Sequence, residues 1–194
     1  MPAYPSLGPA LKALEDGRLI RSWVATALRV CAILAVVAGL VGAYRVLKAL
    51  SQSGQTGGGL LLALLMVVAV IMIAQILFYR AGAVGSLGDS RFTVIPIASQ
   101  MLRSVGEIYA ACAVIFGVGG MLFLWIWKQS PLDLIGAFAV VLPRGAAAGE
   151  GSFVGGILFL VYMLVAGFLA LIMFYAIAEA SIALVTIAQN TERR

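Results

Sequence analysis

Four apolar runs, each roughly twenty residues long, divide this 194-residue chain and leave little outside them. About 20 apolar residues rising about 1.5 Å each in a helix match the roughly 30 Å hydrocarbon core of a bilayer. In lipid a helix satisfies its own backbone N–H and C=O groups, and an open strand does not. The pattern therefore predicts an all-α integral membrane protein with four transmembrane helices. Composition points the same way. The chain is 63% hydrophobic and 11% charged, with a mean hydropathy of +1.09. Soluble domains sit near 45–50% apolar and about 25% charged. A soluble globular enzyme and a disordered chain are both excluded, and no segment left over is long enough for a soluble domain.

The spans are read as Trp23–Leu47, Gly58–Tyr79, Glu107–Trp127 and Phe153–Ala178. They imply a division into an N-terminal arm (1–22), a first transmembrane hairpin (23–79), a cytoplasmic connection (80–104), a second hairpin (105–178) and a helical tail (179–194). In the arm, Leu11, Leu14 and Ile20 alternate with Lys12, Arg18 and Arg21, which suits a short helix near the headgroups. It lacks an Ala-x-Ala cleavage signature, so the arm is expected to be retained. Arg29 and Arg45 bracket the first span about 24 Å apart, each close enough to snorkel to its own interface. Tyr44, Trp125 and Trp127 mark one interface, and Trp23, Tyr79, Tyr109 and Tyr175 the other. The second hairpin loop holds Ser130-Pro131-Leu132-Asp133, a helix-start signature. It predicts an outer interfacial segment near 131–142. The runs Ile97–Val105 and Glu179–Asn190 are expected to extend the third and fourth helices beyond the bilayer.

Orientation follows from the basic residues. Lys12, Arg18, Arg21, Arg29, Arg80, Arg91, Arg103, Arg193 and Arg194 share one side, and Arg45, Lys48, Lys128 and Arg144 the other. The richer side is expected to be cytoplasmic. This places both termini in the cytoplasm of a bacterial inner membrane. The net charge of +5 is thereby a membrane-surface pattern, and no nucleic-acid partner is expected.

Internal similarity suggests a duplication. Cys31-Ala32-Ile33 and Ala38-Gly39-Leu40 match Cys112-Ala113-Val114 and Gly119-Gly120-Met121, at an offset of about 81. Gly58-Gly59-Leu60 and Phe78-Tyr79 match Gly155-Gly156-Ile157 and Phe174-Tyr175, at an offset of about 96. Two tandem hairpin repeats of equal orientation are expected, with Cys31 and Cys112 equivalent, reduced and buried.

Much chemistry is excluded. With no histidine, the commonest general base and the commonest metal and haem ligand are missing. Two cysteines outside any CxxC pair cannot build a zinc or iron–sulfur site. The acidic residues are scattered, with no paired-carboxylate motif. Gly57-Gly58-Gly59 and Gly117-x-Gly119-Gly120 follow no strand and read as turn or packing glycines. No catalytic residue, metal site or cofactor is expected.

What remains is structural. Ionisable groups in a span are functional hypotheses by default, and here they lie at one set of span ends. Arg80 is expected to pair with Glu179, and Arg103 with Glu107 one turn away. Gln75 alone lies deeper. Gly39, Gly42, Gly117, Ala166 and Ala170 fall in small-x3-small patterns that let helices approach closely.

In the stretch Gly155–Asn190, the positions Glu179, Val185, Ile187 and Asn190 form a helical tail with an acid, an aliphatic, an isoleucine and an asparagine at set spacing. This tail resembles that of a family of small bacterial membrane proteins of unknown function with two predicted spans. The family pattern has an arginine where this chain has Tyr175. The resemblance covers about 35 residues and implies no activity. The sequence thus predicts a non-enzymatic structural or accessory subunit of a larger bacterial membrane complex. Its partners would be other membrane protein subunits or further copies, and lipids. The alternative is a small transporter or oligomeric pore.

Overall fold

The computed structural model describes residues 17–52, 54, 56–87, 94–127 and 153–192. Four helices carry nearly all of them: α1 (Arg18–Gln52), α2 (Thr56–Gly85), α3 (Val94–Trp127) and α4 (Phe153–Glu192). Each is long and apolar enough to cross a membrane, so the chain is a multi-pass membrane protein. Every predicted span lies inside one of these helices. Their ends differ from the expected divisions. Arg18–Ser22, expected in the arm, form the first turn of α1, and α2 runs on to Gly85 while α3 starts at Val94. The expected 80–104 connection is therefore mostly helix. The rest of the arm and the interfacial segment near 131–142 lie outside the described residues.

The α1–α2 turn hinges on Gly54. Its φ of 79° is the left-handed conformation that only glycine adopts freely. Its N–H donates to the Ser51 carbonyl (3.2 Å), closing the end of α1.

Packing runs mainly between consecutive helices: α1 on α2, α2 on α3, α3 on α4. Glycines set the closest approaches. On α1, Gly39 lies under Val70 and Gly42 under Met66, while Gly59 of α2 lies under Leu50. On α3, Gly106 faces Phe174, Gly117 faces Met163 and Gly120 faces the Phe159 ring. The α2–α3 joint is made by Leu65 over Gly119 and by Phe123 and Trp127 over Gly58. Lipid offers no hydrophobic drive between spans, so close packing of this kind must hold them.

These contacts do not show the tandem repeat in the register that the two offsets predict. If both offsets held, the Gly39–Val70 contact would recur as Gly120 against Ala166. Gly120 instead meets Phe159, seven residues or about 10 Å away along α4. The two hairpins thus pack in different registers. The cysteines differ too: Cys31 is exposed and Cys112 half-buried, so the expectation that both are buried is also corrected.

The molecule has two zones. Aromatic groups gather at one end, where Trp125 stacks on Phe153 (centroids 4.6 Å apart) and donates to its carbonyl (3.1 Å). Phe123 stacks on Trp127 beside Gly57 and Gly58. Twenty residues along α3 from Trp127, about 30 Å, lies Glu107. It lies level with Arg80 of α2 and Tyr175 of α4. That distance equals the hydrocarbon thickness. Beyond it the helices continue as a small bundle. An apolar core spans this border, with Ala25, Leu28, Ala32, Ala74, Leu77, Ala81, Val84 and Ile97 packed together.

Candidate functional site

Arg80 is the centre of the best-defined polar group in the protein. It sits near the end of α2 with only 7% of its surface exposed. A buried guanidinium must find partners for its donors, and it finds them on two other helices. From α3, Glu107 receives Nε–H (3.0 Å, to Oε2) and Nη2–H (to Oε1), a bidentate fork. Gln100, two turns earlier on α3, receives Nη1–H through its Oε1 (2.6 Å). From α4, the Tyr175 hydroxyl accepts from Nη2 (2.9 Å) and donates to Glu107 Oε1 (2.5 Å). One guanidinium thereby ties α2, α3 and α4 together at one depth.

A second layer lies one turn outward. The Arg103 guanidinium stacks over the Tyr175 ring at 5.3 Å, a cation–π contact. Its Nη2 is 4.0 Å from Glu179 Oε1, a loose pair in which Glu179 is 68% exposed. Arg103 Nε is buried without a partner. The four ionisable residues named from sequence are thus brought together, but with exchanged partners. Arg80 pairs with Glu107 and not Glu179, and Arg103 leans toward Glu179 and not Glu107. Equal depth was readable from spacing. Direction around each helix was not: Glu107 points into the α2–α4 cleft, while Arg103 lies over α4. Gln100 and Tyr175 were not foreseen as members. Tyr175 read as an interface marker, and its spacing of four from Glu179 was the available signal.

Arg21 forms a separate anchor. It is buried, and it donates to the Gly17 carbonyl (3.3 Å) and to that of Leu87 just past α2. A cation there suits the carbonyl-rich end of a helix and clamps the start of α1 to the end of α2.

The packing residues separate as well. Gly39, Gly42 and Gly117 all lie in tight contacts. Ala166 and Ala170 are only half-buried. The close approach on α4 is made by Gly167, where a Cβ would sit 2.7 Å from that of Ala113.

Chemically the Arg80 group is closed. Both Glu107 oxygens accept bonds from within the group, and Tyr175 both gives and receives. The other buried polar side chains among the described residues are Arg21, Ser99 and Ser104, all toward the same end. The two serines are satisfied locally by the carbonyls of Pro96 and Met101. From Glu107 to the Trp127 end, the buried residues of all four helices are apolar or glycine. Among the described residues no group of three or more His, Cys, Asp or Glu could hold a metal ion. A shallow groove of about 490 Å³ runs along α1 past Trp23, Thr26 and Val30, apart from this group. The chain matches no family model, and no similar curated protein or solved structure is found.

Proposed function

We propose that this chain is a non-enzymatic structural or accessory subunit of a larger bacterial membrane complex, seated in the inner membrane with both termini cytoplasmic. The observation that carries the reading is the closed Arg80 group. Its buried charges are spent on joining three helices, with both Glu107 oxygens taken by Arg80 and Tyr175. A transporter site generally needs polar groups or broken helices near the midplane. Here that region is packed mainly with glycine, alanine and large apolar side chains, with Tyr162 of α4 among them. Orientation rests on the excess of Lys and Arg on the side that includes Arg80 and Arg103.

The test is affinity purification of the full chain in gentle detergent with mass spectrometry, beside ion-flux measurements on proteoliposomes. Other membrane proteins retained in fixed stoichiometry, without flux, are the expected result. A chain that purifies without other proteins and conducts an ion, losing that flux in Glu107→Gln while remaining folded, would replace this reading with the transport one.

A further inference from the structure

Gln75 is a polar side chain inside the spans that makes no hydrogen bond to the described residues. It lies five residues, about 7.5 Å, to the membrane side of Arg80. It is exposed on the face of α2 turned away from α1 and α3. A bare carboxamide is costly in hydrocarbon, where nothing else can receive its bonds. Its neighbours on that face follow a rule. Leu64, Val68, Ile71, Gln75, Phe78 and Gly82 are separated by alternating steps of four and three, and all are exposed. Gly85 continues the series, and a Cβ at either of these glycines would meet nothing within 4 Å. Steps of four and three average 3.5 residues. The lipid-facing sides of α1 and α4 share this spacing, so it is Gln75 that sets α2 apart; a left-handed pair formed here would place Val68, Gln75 and Gly82 at one set of core positions and Leu64, Ile71 and Phe78 at the other.

From this we infer that α2 is the interface of a parallel homodimer in which Gln75 of one copy hydrogen-bonds Gln75 of the other. The occupant is a second copy for two reasons. Copies inserted with one orientation meet across a two-fold axis along the membrane normal, so equal positions face each other at equal depth. A carboxamide carries donors and acceptors together, so its own kind satisfies both, whereas the ester oxygens of lipid nearest this depth only accept. A single polar residue at such a core position also fixes register, and left-handed crossings are the common geometry of spans. The inference does not depend on the accessory reading, because a dimer can serve either a subunit or a transporter.

The experiment uses the full chain in membranes, with Cys31→Ala and Cys112→Ala as background. Single cysteines are placed at Ile71, Gln75 and, as a control, Leu34. Leu34 is 60% exposed on α1, near the depth of Gln75 by the register of Gly39 against Val70. Oxidation should cross-link the Ile71→Cys and Gln75→Cys chains and spare Leu34→Cys. With intact cysteines, Gln75→Leu should weaken self-association in vesicles, followed by energy transfer between labelled copies, by roughly three- to thirtyfold. Gln75→Asn should retain most of it. Equal cross-linking at Leu34, or an association constant unchanged in Gln75→Leu, would overturn the proposal. Gln75 faces away from the fold's own contacts, so a helix content unchanged in Gln75→Leu separates lost association from lost folding.

Discussion

At the residue scale the decisive object is Arg80. Removing one member of a buried ion pair leaves the other charge uncompensated, at a cost of about 3–5 kcal/mol. Arg80→Leu should lower stability by that order, since Glu107 and Gln100 lose their shared donor. Glu179→Gln should cost less than about 1 kcal/mol, because Glu179 is exposed and its pair with Arg103 is long. Unfolding by graded SDS in mixed micelles measures both, and equal losses would refute the ranking. The exchanged partners also mark how far sequence reading reaches. Counting residues along a span gives depth at about 1.5 Å per step. Direction around the helix depends on which neighbours it has, and Arg103 and Glu107, one turn apart, are drawn toward different partners by Tyr175 and Arg80.

At the scale of elements, glycines decide spacing. Gly117 faces Met163 and Leu160 with no room for a larger side chain. Gly117→Leu should therefore separate α3 from α4 and reduce assembly far more than Glu179→Gln, which size-exclusion profiles in detergent would show. Gly119 faces the other way, onto Leu65 of α2. Gly119→Leu should loosen one hairpin from the other while each keeps its own packing. Spin labels on α1 and α4 should then report a broader distance distribution, with the α3–α4 distance unchanged. Small-x3-small patterns found Gly39, Gly42 and Gly117 in sequence. They missed Gly167 and selected its half-buried neighbours Ala166 and Ala170. Small residues are frequent on every face of these helices, so spacing alone does not tell which face meets a partner. The repeat register is not seen for a related reason. Similar apolar words recur in α1 and α3, and in α2 and α4, but the register between helices is set by which large side chain fills which glycine gap.

At the scale of the whole molecule, the four spans were legible because lipid imposes one length and one composition on all of them. The continuation of α2, α3 and α4 past the border was partly legible, through the runs Ile97–Val105 and Glu179–Asn190. If the Arg80 end faces the cytoplasm, Ser86→Cys in a chain lacking Cys31 and Cys112 should react with an impermeant thiol reagent only in inverted vesicles. Gln52→Cys should react only in right-side-out vesicles, since both positions are exposed and lie at opposite ends. The reverse pattern would overturn the orientation.

The span of the Arg80 group along the chain has a consequence in time. Gln100 follows Arg80 by 20 positions, Glu107 by 27 and Tyr175 by 95. Synthesis runs from the N terminus at roughly 5–20 residues per second, so Arg80 emerges seconds before its last ligand exists. During that wait its guanidinium must stay at the hydrated border, which its place at the end of the hydrocarbon layer allows. The nascent first hairpin is therefore unfinished until the fourth helix arrives. A ribosome-released chain ending before Phe153 should be cleared by membrane proteases faster than the full chain, even though all three of its helices are whole.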